Sequence, residues 1–414
     1  MSFPARLEIP DEVIRIARKL EAAGFETWCV GGAVRDNLLG HANKDFDLAT
    51  AATPPQVRQL FKRTVPIGIE HGTVAVLDRK RQPHEVTTFR RDVTTDGRHA
   101  LVEFGVSLEE DLARRDFTIN AIAYHPLNHE WRDPFDGAAD LDARLIHAVG
   151  EPADRFREDY LRILRALRFA AKFDFTIEPN TRDAAAAAVP GLEGLSAERV
   201  REEWFRGLAG AQQPSAFVRL WEEMGALAIW LPELRGRQPT EPDQWTVVDR
   251  LGSSDALLAT VYLSSDPEAT LTRLKCSNAD VERGRAVKRF RSSMPEPESA
   301  MEVRRWMSRV GDAVDDLVAL SASAGGSELG EAVRKVRASG APLAVAELAV
   351  NGSDLMALGI GEGPAIGRVL RQLLDAAIED PTVNTRDLLL KRAADLATST
   401  SRSPPPDREG RGAE

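Results

Sequence analysis

The feature that most constrains this chain is a glycine turn followed closely by two acids. Gly31-Gly32 ends a β-like run and precedes a predicted helix over residues 33–39. Asp45 and Asp47 then lie in a predicted strand over residues 45–49. Because alternate residues of a strand point to the same face, both carboxylates are expected at one site. A turn that lets backbone amides approach a phosphate chain, beside two carboxylates for Mg²⁺, is the arrangement of a nucleotidyl-transfer site.

Two charged residues extend this prediction. Arg35, on the helix after the turn, could reach the same phosphates as the backbone of Gly32. Glu85, on a predicted strand over residues 85–89, is a candidate third catalytic carboxylate. A strand-end surface charge is the alternative explanation of Glu85, and an ordinary turn is the alternative explanation of the glycine pair.

Polar residues interrupt an apolar stretch at residues 111–124, which we expect to be a helix. They are Arg114, Arg115, Asp116 and Asn120. Burying such groups without partners would cost a few kcal/mol each. A bound phosphate or ribose, or a network that leads to the metal site, would supply partners, and a structural ion-pair cluster is the alternative.

A second charged segment begins at Asp159 and continues through Arg162, Arg165 and Arg168. On a helix, Asp159 and Arg162 would be neighbours on one face. A carboxylate accepts a hydrogen bond from an exocyclic amino group, and a guanidinium donates to a ring nitrogen or carbonyl. This pair could select cytosine and adenine without a nucleic-acid template, whereas the alternative is an ordinary intrahelical salt bridge.

The chain changes character along its length. The first 140 or so residues alternate predicted helices and strands, which indicates a mixed α/β unit. Helical spacing dominates from about residue 142. Further helices are expected at residues 181–189, 196–209, 214–226, 254–263, 279–292, 300–319, 328–338, 342–349 and 363–378. Residues 234–243 are rich in Pro, Arg, Gln and Thr and indicate a domain joint, while residues 399–414 have almost nothing to bury and are expected to be disordered.

Composition excludes several other classes. A formal net charge of −10 argues against indiscriminate nucleic-acid binding but allows a local basic groove. No window approaches the about 18 uninterrupted apolar residues of a membrane span. Two cysteines cannot form a disulfide framework, and acids near the N-terminus leave no apolar core for an export signal, so a reducing, cytoplasmic location is expected. All seven histidines lie at or before His147, so no histidine-ligated metal centre is expected beyond it.

Taken together, the ordered motifs resemble the class II tRNA nucleotidyltransferases, the enzymes that build or repair the 3′-terminal CCA of tRNA. The resemblance rests on residues 31–47, 114–123 and 158–170, and on 194–203, which resembles the family's neck motif. Residues 90–104 resemble its flexible loop, in which Asp96 and Arg98 are the candidate residues. Residues 351–386 are similar to its tail element.

The resemblance implies an α+β chain: a polymerase-β-like nucleotidyltransferase head with a mixed sheet, followed by all-helical neck, body and tail domains. The expected bounds are 1–141 for the head, 142–210 for the neck, 211–340 for the body and 341–398 for the tail. It also implies the roles of individual residues. Asp45 and Asp47 would bind Mg²⁺, and Gly32 and Arg35 would bind the triphosphate.

Further roles follow from the same resemblance. Arg115 would contact the nucleotide, and Asp116 would hold the arginine network, with Asn120 in the same nucleotide-binding set. Asp159 and Arg162 would read the base. Arg165 and Arg168 would contact the phosphate and the surroundings of the base.

The implied reaction is in-line attack of the tRNA 3′-hydroxyl on the α-phosphorus of CTP or ATP. The implied partners are the 3′ end and the acceptor/TΨC arm of tRNA, with no DNA and no membrane. Basic runs at 283–291, 304–309 and 334–337 would supply phosphate contacts. Partial CC- or A-adding enzymes, a poly(A) polymerase and an inactive tRNA-binding module remain alternatives, because they share these motifs.

Overall fold

The structure is a computed structural model that describes residues 2–68, 72–95, 100–235 and 242–400. The chain divides into two compact units, residues 1–277 and 278–414. This division falls inside the predicted body domain, and the predicted boundaries at 141, 210 and 340 stay predictions. The segment expected to be disordered, 399–414, lies outside the described residues except for its first two, which end the last helix.

A seven-stranded sheet lies in the first unit, with strand order β3-β4-β5-β2-β1-β8-β9. Strands β2 and β5 run parallel and the other neighbours run antiparallel, which confirms the mixed sheet expected of the head. A separate antiparallel hairpin, β6-β7, and a short parallel pair, β10-β11, complete the strands of the described residues. The strands are β1 (Thr27–Val30), β2 (Asp47–Thr50), β3 (Thr64–Gly68), β4 (Thr73–Leu77), β5 (Pro83–Thr88), β6 (Arg90–Thr95), β7 (Ala100–Phe104), β8 (Ala123–Tyr124), β9 (Trp131–Arg132), β10 (Leu145–Ile146) and β11 (Thr176–Ile177).

Helices form the rest of both units. Those of the first unit are α1 (Asp11–Ala22), α2 (Gly32–Leu38), α3 (Pro54–Leu60), α4 (Leu108–Ala113), α5 (Gly137–Ala143), α6 (Pro152–Glu158), α7 (Leu161–Phe173), α8 (Pro179–Ala188), α9 (Ala197–Gly210), α10 (Pro214–Met224), α11 (Ala226–Trp230), α12 (Pro242–Gly252), α13 (Ala256–Leu263) and α14 (Pro267–Arg273). Those of the second unit are α15 (Asn278–Phe290), α16 (Ala300–Val310), α17 (Val314–Ser323), α18 (Glu328–Ala338), α19 (Gly352–Ala357), α20 (Pro364–Glu379) and α21 (Arg386–Thr400).

Strand β1 is buried on both faces, which explains why its residues are continuously apolar or small. Trp28 and Val30 pack with Phe89 and Leu112, whereas Cys29 packs into the larger core on the other face. This alternation is the two-residue period of a strand. It places the glycine turn that follows β1 at the end of a strand held in the centre of the sheet.

Several predicted elements differ from the observed ones. The expected helix over 300–319 is two helices, because Gly311 interrupts it with a φ of 62°. The expected helix over 342–349 is only a 3₁₀ turn at Val345–Glu347. Strand β3 was not predicted, because three of its five residues are exposed and its sequence does not alternate. The loop predicted at 90–104 forms the hairpin β6-β7, while Asp96 and Arg98 lie outside the described residues.

Candidate active site

The glycine turn lies against two candidate functional side chains. Gly31 has a φ of 76° and immediately precedes α2. A Cβ added at residue 31 would lie 3.3 Å from Nη1 of Arg115 and 3.9 Å from Oδ2 of Asp47. Glycine is needed at this position both for the backbone conformation and for the close approach. The turn thus places main chain beside a guanidinium and a carboxylate.

The acidic side of the site contains Asp47 and Glu85. The parallel strands β2 and β5 pair Leu48 with Val86, so the residues just before them, Asp47 and Glu85, are neighbours across the sheet. Asp45 is exposed and precedes β2, so the expectation that it lies in a strand with Asp47 is wrong. Burial, then the charges of Glu85 and Asp45, raise the pKa of Asp47 to about 6, and the Arg115 guanidinium opposes this shift. The three carboxylates therefore repel one another.

Residues 111–124 do not form the expected continuous helix. Helix α4 ends at Ala113, a 3₁₀ turn follows at Thr118–Asn120, and the chain then enters β8. After α4 the backbone pairs with a distant segment instead, because the Thr118 amide donates to the His147 carbonyl at 2.9 Å and the Val149 amide donates to the Asp116 carbonyl at 3.2 Å. Arg114 and Arg115 lie 2.7 and 3.0 Å from the two oxygens of the buried Asp111 carboxylate. Asp111 was not predicted as a site residue, although it begins the same motif. It orients both arginines.

Asp116 forms the centre of a buried polar network. Its Oδ2 accepts a hydrogen bond from Nε of Arg165 at 2.8 Å, and its Oδ1 accepts from Asn120 Nδ2 and from the Phe117 amide, both at 2.9 Å. Burial alone would raise the pKa of Asp116, but Arg165 and these hydrogen bonds lower it to about 2. The arginine-holding role that the resemblance implied for Asp116 agrees with this geometry.

The side chain of Arg35 is buried and already hydrogen-bonded to other residues of the protein. Its Nε and Nη2 donate to Oδ1 of Asp36 at 2.9 and 2.6 Å, and its Nη1 donates to Oδ1 of Asn120. The guanidinium also lies 5.0 and 4.7 Å from the ring centres of Phe169 and Phe173. Burial lowers the pKa of Arg35, and Asp36 opposes that effect. All three nitrogens of Arg35 are engaged, so it links α2 to the neighbouring elements.

Asp159 does not lie on a helix with Arg162, as was expected. It joins α6 to α7 with an extended φ of −153°. Its Oδ1 accepts from the Leu161 amide at 3.0 Å and its Oδ2 from Nη2 of Arg199 at 2.7 Å. Arg162 instead donates to Glu158 at 2.7 Å and to the carbonyl of Arg114 at 3.0 Å. The two predicted base-reading side chains are therefore held apart by separate partners.

Arg165 and Arg168 share a buried acid that was not predicted as a site residue. Glu203 of α9 lies 2.5 Å from Nε of Arg168 and 3.8 Å from Nη1 of Arg165, and its side chain is only 4% exposed. The guanidinium of Arg168 also lies 4.3 Å from the ring centre of Phe169. Glu203 ends the segment that resembles the family's neck motif, which is the signal that could have identified it.

These elements surround one cavity of about 560 Å³. It brings Asp47 and Glu85 together with Asp159 and Arg162, although these residues are far apart in the sequence. The residues that line the cavity are Val30, Gly31, Gly32, Arg35, Asp47, Leu48, Thr73, Glu85, Thr87, Arg90, Arg114, Arg115, Asp116, Asn120, Asp159, Leu161, Arg162, Arg165, Phe169 and Arg199. Asp45 and Arg168 do not line it, while Arg90, Thr73, Thr87, Phe169 and Arg199 do so without having been predicted.

Two domain models of polymerase A match parts of this chain. Residues 27–147 match the sequence model of the Poly A polymerase head domain, and residues 174–236 match that of the probable RNA and SrmB-binding site of polymerase A. The CCA-adding enzyme of Limosilactobacillus fermentum is 36% identical over 389 residues, which cover 92% of this chain and 96% of that protein. The chain belongs to the family of CCA-adding enzymes.

Other members of the CCA-adding enzyme family match over the same length. That of Latilactobacillus sakei is 35% identical over 403 residues, which cover 92% of this chain and 97% of that protein. The crystal structure of the Bacillus stearothermophilus CCA-adding enzyme in complex with CTP superposes with a TM-score of 0.79 at 30% identity, and covers 95% of this chain and 98% of that one. The expected nucleotidyltransferase head and helical continuation are thereby confirmed.

In this member of the CCA-adding enzyme family, arginines of each of the three basic runs, 283–291, 304–309 and 334–337, bond to other residues of the second unit. Arg283 pairs with Asp316 at 2.6 Å, and Arg337 pairs with Asp315 at 2.8 Å. Arg304 donates to the carbonyls of Ile378 and Glu379 at the end of α20, at 2.6 and 3.0 Å. These arginines have structural partners, so the runs cannot be counted as phosphate ligands from their spacing alone.

In the described part of the chain, no helix is long and apolar enough to cross a membrane.

Proposed function

We propose that this chain is a complete CCA-adding enzyme, which adds CMP, CMP and AMP in turn to the 3′ end of tRNA from CTP and ATP and releases pyrophosphate. The observation that carries the proposal is the single cavity that joins Asp47 and Glu85 to Asp159 and Arg162. Its volume of about 560 Å³ is that of a small-molecule pocket. One bound nucleotide could therefore contact both the reacting carboxylates and the base-reading pair.

The charge of the cavity supports a triphosphate as ligand. Seven arginines line it against four carboxylates, in a chain whose net charge is −10. Nε of Arg115 is buried and has no hydrogen-bond partner in the described part of the chain, although Asp111 holds the other end of its guanidinium. A phosphate oxygen would satisfy this donor. Arg115 lies beside the glycine turn, where the main chain can also approach a phosphate.

A divalent cation fits the acidic side of the cavity. Among the described residues, no group of three or more His, Cys, Asp or Glu side chains is arranged to hold a metal ion. Mg²⁺ does not need such a cage, because it is commonly bound by one or two carboxylates together with substrate phosphates and water. Burial, and then the charges of Glu85 and Asp45, raise the pKa of Asp47, so a bound cation would favour the ionised form of this carboxylate. Asp47, together with Asp45, which lies outside the cavity lining but whose charge acts on Asp47, would hold Mg²⁺. The ion would serve to activate the attacking hydroxyl and to neutralise the phosphates.

The chain's own residues would position the reacting groups. The tRNA 3′-oxygen attacks the α-phosphorus, its proton passes to an oxygen of the acidic side that includes Asp47 and Glu85, and the bond to the pyrophosphate oxygen breaks. Arg115, and the glycine turn that contacts it, would hold the triphosphate so that attack is in line. Asp116 would hold Arg165 in position at the edge of the cavity, because the two side chains are hydrogen-bonded in the same buried network.

Base choice would rest on Asp159 as acceptor and Arg162 as donor. An ionised carboxylate has about four lone-pair sites, so Asp159 can accept from an exocyclic amino group in addition to its two present partners. Cytosine and adenine present an amino group beside an acceptor, whereas uracil and guanine present the reverse. The site would therefore favour CTP and ATP over UTP and GTP.

The tRNA would be recognised through the shape of its acceptor and TΨC arm, because the readable groove of A-form RNA carries little sequence information. A tRNA substrate supports a cytoplasmic location for the proposed activity, and the proposed reaction includes no DNA. A solved structure of the Thermotoga maritima CCA-adding enzyme contains tRNA, but at 20% identity that likeness concerns the fold alone.

The experiment that tests the proposal is a product ladder. Purified protein is incubated with tRNA transcripts that end at the discriminator base, after C or after CC, with each nucleoside triphosphate alone and with CTP and ATP together. We expect CTP alone to add two C residues to the transcript that ends at the discriminator base and one C to the transcript that ends after C, and ATP to add a single A only to the transcript that ends in CC. Failure to add A would leave a CC-adding enzyme, and failure to add C would leave an A-adding enzyme. Long A tails on unstructured RNA would favour the poly(A) polymerase, and no incorporation with retained tRNA binding would indicate an inactive module.

A further inference from the structure

Arg199 is the one partner from α9 that reaches the base-reading acid. Its Nη2 lies 2.7 Å from Oδ2 of Asp159, while the Leu161 amide donates to Oδ1 at 3.0 Å. These two bonds fix both the position of the Asp159 carboxylate and its rotation. Arg199 also lines the cavity, so it touches the site from a separate helix.

Helix α9 presents two opposite charges to the base-reading segment. Arg199 and Glu203 are four residues apart and so lie on one face of the helix. Arg199 holds Asp159, and Glu203 holds Arg168 and lies near Arg165. Helix α9 packs directly on α7, which makes it a rigid support for these side chains. The basic residue of α9, Arg199, thus faces the acid Asp159, and the acidic residue of α9, Glu203, faces the base Arg168.

The separation of Asp159 from Arg162 depends on these partners. Arg162 lies in the first turn of α7 and has Glu158 as its ion partner, whereas Asp159 has Arg199. If Asp159 lost Arg199, Arg162 would be one of the arginines that line the same cavity and could replace it. A direct Asp159–Arg162 pair would occupy the acceptor and the donor with each other. Neither would then be presented to a base.

We propose that Arg199 is a specificity-determining positioning residue, which keeps the Asp159 carboxylate oriented as a hydrogen-bond acceptor for the incoming base and prevents its pairing with Arg162. This inference rests on the proposed function, because it concerns how the same cavity chooses its nucleotide. Arg199 acts through Asp159 and is not itself a reader of the base.

A merely electrostatic role for Arg199 makes a different prediction. If its positive charge only attracted the triphosphate, removal would weaken all four nucleotides alike, since they carry the same phosphates. If it positions Asp159, removal would weaken CTP and ATP much more than UTP and GTP. The ratio of kcat/KM values between nucleotides therefore separates the two roles.

The test compares R199A, R199Q and R199K with R206A. Arg206 lies on the same helix but is 64% exposed and pairs with Glu202 on the surface, so it is the matched control. Single-nucleotide addition to tRNA ending at the discriminator base and to tRNA ending in CC is measured with each nucleotide. We expect R199A and R199Q to lower the CTP/UTP and ATP/GTP ratios by about tenfold or more, R199K to restore part of the loss, and R206A to change nothing.

Two further measurements keep the outcome unambiguous. Thermal unfolding checks that each variant is folded, and R199Q, which keeps most of the side-chain length, is used if R199A is not. In a double-mutant cycle, R199A added to D159A should cause little further loss of selectivity, because both act through one interaction. Unchanged nucleotide ratios in R199A and R199Q, or a uniform loss for all four nucleotides, would overturn the inference. Failure of the wild-type chain to add any nucleotide to tRNA would instead overturn the proposed function.

Discussion

Glu85 of β5 lies beside Asp47 of β2, because these strands run parallel with Leu48 opposite Val86. Burial first, and then the charges of Glu85 and Asp45, raise the pKa of Asp47 to about 6. A raised carboxyl pKa favours the folded state below the ordinary pKa of about 4, and this contribution is lost as the pH rises through 6. Above that pH and without a cation, the ionised Asp47 therefore destabilises the fold.

Replacement of Asp47 by Asn should increase the stability of the fold while it abolishes nucleotide addition. In EDTA at pH 8, we expect D47N to raise the free energy of unfolding by about 1–3 kcal/mol, with the gain shrinking towards zero below about pH 4. Nucleotide addition should be abolished while tRNA affinity stays within a few-fold. Urea denaturation at several pH values and a filter-binding assay measure these quantities. D45N is the control, because Asp45 is exposed and its removal should give a smaller gain.

Magnesium should stabilise the wild-type chain through the same carboxylates. A ligand at a hundred times its Kd stabilises the folded state by about 2.7 kcal/mol. We expect added Mg²⁺ with CTP to raise the Tm of the wild type, and neither D47N nor D45A to respond. D45A should also abolish nucleotide addition. An equal Mg²⁺-dependent shift in the wild type and D47N would contradict the proposed metal ligands.

Substitution of Gly31 by Ala tests the close approach at the turn. Both Gly31 and Gly40 have positive φ, 76° and 80°, but a Cβ at Gly40 meets nothing within 4 Å. Both G31A and G40A should therefore carry a conformational cost on the order of 1–3 kcal/mol. Only G31A should displace Arg115 and lower kcat/KM, by about tenfold or more. Equal activity of the two variants would show that the contact with Arg115 does not matter.

Glu203 should be a strong contributor to stability, unlike its neighbour. Loss of Glu203 leaves Arg165 and Arg168 without their shared acid in a mostly buried place, so E203A should destabilise the fold by on the order of 3 kcal/mol. Glu202 pairs with Arg206 at the surface, so E202A should cost less than about 1 kcal/mol. Chemical denaturation measures both, and similar costs for the two variants would be the contrary result.

Arg162 should determine nucleotide choice, and it also links α7 to Glu158 and to the main chain at Arg114. We expect R162A to relax the preference for CTP and ATP and to lower stability by about 1–3 kcal/mol, because it loses a charged hydrogen bond to Glu158 and the bond to the Arg114 carbonyl. R157A, on the neighbouring helix α6 and 67% exposed, is the control for both measurements. Retained selectivity in R162A would count against the base-reading role.

Local sequence patterns predicted most elements that a single segment can specify. The helix expected over 328–338 is observed with those bounds as α18, and the strand expected over 85–89 is observed as β5 (Pro83–Thr88). The patterns failed where polar partners from elsewhere end an element. After Arg115, backbone hydrogen bonds of Asp116 and Thr118 with residues 147–149 replace the continuous helix that the apolar residues of 111–124 indicate.

The same limit applies to the candidate site. The types of residue in each motif identified the glycine turn, the acids and the arginines, and their order identified the family. Spacing could not show that Asp45 precedes its strand, that Asp159 lies outside its helix, or that Arg199 and Glu203 of α9 hold the base-reading segment. Each of these depends on a partner distant in the sequence.

By itself, the sequence determined which chemical groups are present, which segments can become helices or strands, and which family they belong to, since these follow from local periodicity and from motif order. Only the tertiary structure decided which acid each arginine pairs with and that the separated motifs share one cavity. The physical reason is that ion pairing and burial are set by distance in space, and the fold places charges of the sheet, α7 and α9 around one cavity although they lie more than a hundred residues apart in the sequence.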